Sequence, residues 1–134
     1  MRRRGFIRNS ILFSSSALLP INFLFEDKPN LIVGIIADVH QDIIFDGTKR
    51  IKKFLKDAKK LNADFIIQLG DFALPRKVNQ KFINTWNKYN GLKYHVLGNH
   101  DMGDFGFKKD QTMKWWGMNK RYYSFDKGGL HFIV

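Results

Sequence analysis

Cysteine is absent from this chain. Disulfides and thiolate ligands are therefore excluded, and any metal must be held by carboxylate, imidazole or amide groups. The compartment stays open, because exported proteins need not carry disulfides. No uninterrupted apolar run reaches the ~20 residues that a membrane-spanning helix needs. Internal repeats of solenoid period and low-complexity segments are also lacking. Acids are scarce, with 12 Asp+Glu against 23 Lys+Arg and a formal charge of +11. That balance suits phosphate-bearing or polyanionic substrates and equally a solvated basic surface, so charge alone assigns no function. A length of 134 residues leaves room for one domain, and 44% hydrophobic residues suffice for a core.

What the chain does have is a motif at the end of each of three short hydrophobic runs. Residues 31–37 run into Asp38-Val39-His40, residues 65–69 into Gly70-Asp71, and residues 94–97 into Gly98-Asn99-His100-Asp101. The runs are β-branched or aromatic-rich and nearly free of charge, which reads as buried strands of a parallel sheet. In open α/β sheets the carboxyl ends of the strands share one edge, and ligands bind there. The aspartates, histidines and asparagine of the three motifs would meet at that edge, a donor set for hard or borderline divalent cations.

Between the runs, residues 48–61 place Ile51, Phe54, Leu55, Ala58 and Leu61 on one helical face, with lysines on the other. A second helix over 78–89 presents Val78, Phe82, Ile83, Trp86 and Tyr89, with Asn90-Gly91 as its stop. The β-α-β-α-β order predicts parallel strands with right-handed crossovers. Asp110 is a candidate cap for a short helix ending at Gly117. Strands over 122–125 and 130–134 then flank Asp126-Lys127-Gly128-Gly129, a β-hairpin with a four-residue connection.

Residues 1–25 read as a targeting segment, in which Arg2, Arg3, Arg4 and Arg8 accompany a moderately apolar stretch over 11–25. Arg3-Arg4-Gly5-Phe6-Ile7-Arg8 resembles the bacterial twin-arginine signal, departing from it at Arg2, Ile7 and Arg8. The resemblance implies the twin-arginine export machinery as a partner and an exported protein, periplasmic or membrane-anchored. No A-x-A cleavage site lies near residue 25, so the segment could stay as an anchor.

Asp38-x-His40, Gly70-Asp71 and Gly98-Asn99-His100-Asp101, in that order and each after a strand, resemble the signature of the calcineurin-like metallophosphoesterases. The resemblance implies an α/β fold, the N-terminal half of an α/β/β/α sandwich, with residues 26–134 as the N-terminal part of the domain. The last residues, His131-Phe132-Ile133-Val134, form an apolar strand with no turn after it, and the family's distal histidines find no match. Truncation is thus the expectation, and with it inactivity of these 134 residues alone.

By the same resemblance Asp38 and His40 hold a first divalent ion, Asp71 bridges two, and Asn99 serves the second. His100 is the general acid and Asp101 orients its imidazole. The two ions, drawn from Mn, Fe, Zn or Ni, would activate a water for hydrolysis of a phosphate mono- or diester. A small phosphate ester is the expected substrate, with nucleotides as candidates. Alternatives are a nuclease of the same fold, which would bind nucleic acid, or an inactive half-domain that still binds metal. Leu74 stands where many members carry Asp or Asn, which argues against the protein-phosphatase branch. Residues 105–109 with Trp115, Trp116, Tyr122 and Tyr123 form either a pocket wall or core. His95 and His131, inside strands, read as structural, and Asp42, Asp46 and Asp104 as loop residues.

Overall fold

Every residue of the central strand is buried, so it needs cover on both faces, and the remaining elements supply it. A computed structural model describes residues 31–102 and 106–134. The arginine-bearing segment, the polar linker, Asp104 and Phe105 lie outside the described residues. Strands β1 (Val33–Ile36), β2 (Phe65–Gln68) and β3 (Lys93–His95) form a parallel sheet in the order β1-β2-β3. Helices α1 (Gly47–Lys60) and α2 (Gln80–Asn87) are the crossovers. Helix α3 (Lys109–Trp116) follows, and β4 (Ser124–Lys127) pairs antiparallel with β5 (Leu130–Ile133).

The two faces are covered by different chemistry. On the helix side, Ile66 of β2 packs with Ile51 and Ala58 of α1 and with Phe82, Ile83 and Trp86 of α2. Phe72 sits among Phe82, Trp86 and Trp116, with centroids 4.7, 5.1 and 5.8 Å away. On the other side, Phe65 of β2 meets Phe125 and Phe132 of the hairpin edge-on, at 5.2 and 5.1 Å. Tyr94 stacks on Phe125 at 3.7 Å. Helices, sheet and hairpin therefore form three layers. Among the described residues no helix is long and apolar enough to cross a membrane.

Several local expectations need correction. Leu61 is 60% exposed, because α1 ends at Lys60 and the chain turns away through Asn62 at φ 52°. Val78 is 79% exposed and belongs to a 3-10 turn, Lys77–Asn79. There the buried Asn79 amide turns inward instead, donating to Asp42 (2.8 Å) and to the Leu74 carbonyl (2.9 Å). Asp110 lies within the first turn of α3, and Lys108 holds the cap position.

The hairpin connection is two residues, not four. Gly128 and Gly129 both take positive φ (57° and 72°), a turn whose twist matches the strands, so Asp126 and Lys127 stay in the ladder opposite His131 and Leu130. His131 is exposed and paired with Asp126 at 2.6 Å. His95 is buried, with the Trp86 indole N–H donating to its Nε2 at 3.1 Å. Burial pushes its pKa down to about 4, and the nearby Lys93 charge acts in the same direction.

Candidate metal centre

Parallel strands deliver their carboxyl ends to one edge, and the three motifs follow there. The first does not project its side chains by strand alternation, because β1 stops at Ile36. Asp38 and His40 instead both take left-handed backbone conformations, φ 53° and 48°, on either side of a fully buried Val39. Asp71 does the same at φ 51°. Such conformations cost non-glycine residues of order 1–3 kcal/mol each and persist only where the surroundings enforce them.

Here the two loops enforce one another. Asp38 N–H donates to the Gly70 carbonyl (3.2 Å), His40 N–H to Asp71 (2.8 Å) and Gln41 N–H to Phe72 (3.2 Å). Val39 and Phe72 plug the core beneath them. Arg50 of α1, paired with Asp46 at 2.7 Å, also donates to the Val39 carbonyl and buttresses the first loop.

The second and third motifs touch through glycine. A Cβ on Gly70 would come within 2.7 Å of the Gly98 nitrogen, and one on Gly98 would overlap the Asp71 carboxylate. Only hydrogen fits at either position. The Asp71 carboxylate reaches across this contact, its Oδ1 accepting the His100 N–H at 3.0 Å.

One ligand atom each from Asp38, His40 and Asp71 lies within 4.8 Å of the others. His40 Nε2 is 3.7 Å from Asp38 Oδ1 and 3.7 Å from Asp71 Oδ2. Donor atoms 3.7 Å apart can share one cation with bonds of about 2.0–2.2 Å. Two carboxylates and an imidazole suit a divalent transition metal. The His100 ring stands edge-on to His40 at 5.2 Å, and both line a crevice with Asp42, Asp71 and Leu74. Its Nδ1 is buried and has no hydrogen-bond partner among the described residues. Asn99 opens the 3-10 turn Asn99–Asp101 at this edge and is exposed.

Asp101 is the residue whose placement departs most from expectation. Its carboxylate accepts from four backbone amides: Gly98 and Asp71 at 2.8 Å, Phe72 at 2.6 Å and Ala73 at 3.1 Å. No hydrogen bond runs from it to the His100 imidazole among the described residues. Asp101 thus clamps the second motif to the third. Burial pushes its pKa up to about 6 while the four amides pull it down. Thr112 of α3 secures the same turn by donating to the Asp101 carbonyl at 2.7 Å.

Asp42, expected as a plain loop residue, has a similar task. It accepts from the Leu74 N–H at 2.7 Å and from Asn79, closing the crevice. Nothing in the sequence distinguished it from Asp46. Leu74 itself is buried, so apolar packing fills that position. Of the aromatics considered for a pocket wall, Trp116 is core and the Tyr123 hydroxyl bonds the His95 backbone. Tyr122 is 77% exposed.

A model of the calcineurin-like phosphoesterases matches residues 31–133, a span that holds all three motifs and every described strand. The chain belongs to that family. Comparison with curated proteins and with solved structures gave no match. Membership assigns the general chemistry, metal-dependent hydrolysis of phosphate esters, and the Asp38, His40 and Asp71 group fits it.

Proposed function

We propose that the edge formed by the three motifs hydrolyses a small phosphate mono- or diester with two divalent cations. The supporting observation is the approach of Asp38, His40 and Asp71 ligand atoms to within 4.8 Å of one another. Asp38 and His40 would hold one ion, Asp71 would contribute to both, and the Asn99 amide oxygen would serve the second. Bound there, the ions would supply an activated water and neutralise phosphoryl charge. His100 would donate a ring N–H proton to the leaving oxygen. The Asp101 clamp would fix Asp71 and His100 in register and touch no substrate. Manganese, iron, zinc and nickel all suit the donor set.

A nucleotide is a candidate substrate. The net charge of +11 favours a nuclease as the second reading. Residues 1–25 support export by the twin-arginine route, to a periplasmic or membrane-anchored position. The test is turnover of p-nitrophenyl phosphate, of bis-p-nitrophenyl phosphate and of a DNA duplex, each with manganese and with chelator. Metal-dependent release from either small ester supports the proposal. Turnover of the duplex alone favours the nuclease, turnover unaffected by chelator overturns both, and bound metal with no turnover of any of the three favours the inactive half-domain.

A further inference from the structure

The end of the sheet opposite the three motifs carries a second surface with its own chemistry. Because the strands are parallel, the residues that precede each of them gather at one pole. Helices α1 and α2 run toward that pole, and a groove of about 790 Å³ lies between their C-terminal halves. Its floor is apolar, made by Leu55, Ala58 and Tyr89. Its rim carries the exposed Lys52, Lys56, Lys59 and Lys88. Beside it Leu61 and Leu92 stand 60% and 50% exposed.

These lysines are not spent inside the protein. The nearby acids are engaged elsewhere: Asp57 pairs with Lys53 at 2.6 Å, and Asp64 takes the Ile32 N–H and lies 3.7 Å from Lys127. Among the described residues no carboxylate lies within ion-pair distance of the four rim lysines. Nor does the α2 terminus consume Lys88, since Lys93 already donates to the Asn87 and Tyr89 carbonyls (3.3 and 3.0 Å). The sequence that joins β1 at this same pole carries Arg2, Arg3, Arg4, Arg8 and the apolar stretch over 11–25.

We propose that this pole docks on an anionic lipid bilayer. Exposed leucines entering the headgroup boundary, beside lysines that meet lipid phosphates, are the two components of reversible interfacial binding. Two exposed leucines alone give marginal attachment, and the basic rim supplies the second signal. Docked this way, the motif edge faces the aqueous phase. A nucleic acid fits less well, because the groove lining holds no arginine and its one aromatic, Tyr89, is half-buried and offers no stacking platform.

The test is co-sedimentation of the full chain with vesicles of 30% phosphatidylglycerol in phosphatidylcholine, and with phosphatidylcholine alone. Wild type is compared with Lys52→Gln, Lys56→Gln, Lys59→Gln and Lys88→Gln combined, and with a charge-matched control, Lys108→Gln, Lys109→Gln, Lys114→Gln and Lys120→Gln. Circular dichroism verifies that all three fold. The groove variant should lose at least about tenfold in affinity for anionic vesicles, and the control less than about twofold. Leu61→Ser with Leu92→Ser should weaken vesicle binding without changing its salt dependence. Equal losses in the two quadruple variants would reduce the effect to net charge and overturn the proposal. Tighter binding to a DNA duplex than to vesicles, lost with the same four groove lysines, would replace the bilayer with nucleic acid.

Discussion

The carboxylate of Asp101 holds the backbone of Asp71: Oδ2 accepts the Asp71 N–H at 2.8 Å, across a separation of 30 residues. Three further amides, from Gly98, Phe72 and Ala73, share the same carboxylate. One buried side chain thereby fixes the residue that both metal positions would use.

Asp101→Ala strands four amides, those of Phe72 and Ala73 buried and those of Asp71 and Gly98 part-buried, and the penalty for unmade hydrogen bonds predicts a loss of roughly 3 kcal/mol or more. Urea unfolding measures it, with metal content read on the same samples. Both should fall. Unchanged stability with lowered turnover would instead describe an imidazole orienter.

Gly98→Ala places a methyl group against the Asp71 carboxylate. The expected outcome is a folded protein whose affinity for manganese drops at least about tenfold, since one displaced ligand costs on the order of 1.4 kcal/mol or more. Calorimetric titration decides it. Wild-type affinity would show that the approach of these two loops is not what positions Asp71.

His100→Ala should reduce turnover by about 10²–10⁴-fold, the usual range for a general acid, while leaving metal content intact. Steady-state kinetics beside elemental analysis separates the two. Loss of metal equal to that in an Asp71 variant would make His100 a ligand and remove it from proton transfer.

His95 gives the pH dependence. Its pKa falls from 6.5 to about 4 on folding, so the folded chain binds fewer protons than the unfolded one between those values. Its contribution is intact above pH 6.5 and is lost as pH drops toward 4, by about 3 kcal/mol in all. Asp101, raised to about 6, acts in the opposite direction over nearly the same window, so the readout is the difference between wild type and His95→Gln. The variant should lose less stability than wild type as pH drops from 6.5 toward 4, and parallel profiles for the two would contradict the buried neutral imidazole.

Much of this arrangement was legible in the sequence, and for a simple reason. Apolar runs ending at Asp38, Gly70 and Gly98 announce buried parallel strands, and such strands must share a carboxyl edge. The helical faces through Ile51, Phe54 and Ala58 and through Phe82, Ile83 and Trp86 are set by the same logic of burial. The left-handed backbones of Asp38, His40 and Asp71 were not legible, because no local preference produces them. They follow from hydrogen bonds between loops about thirty residues apart and from the burial of Val39 and Phe72. Asp101 illustrates the same limit, since an aspartate next to a histidine suggests a partner for the ring until the amides around it are known. Val78 failed for a subtler reason, in that a polar residue, Asn79, took the inward position.

Elemental analysis of the purified chain against its Asp71→Ala variant, both grown with supplemented manganese and zinc, tests the central claim most directly. The account predicts bound transition metal in the first, removable by chelator, and at least one equivalent less in the second. Equal metal content in the two, or none in the first, would contradict a metal centre built on Asp38, His40 and Asp71.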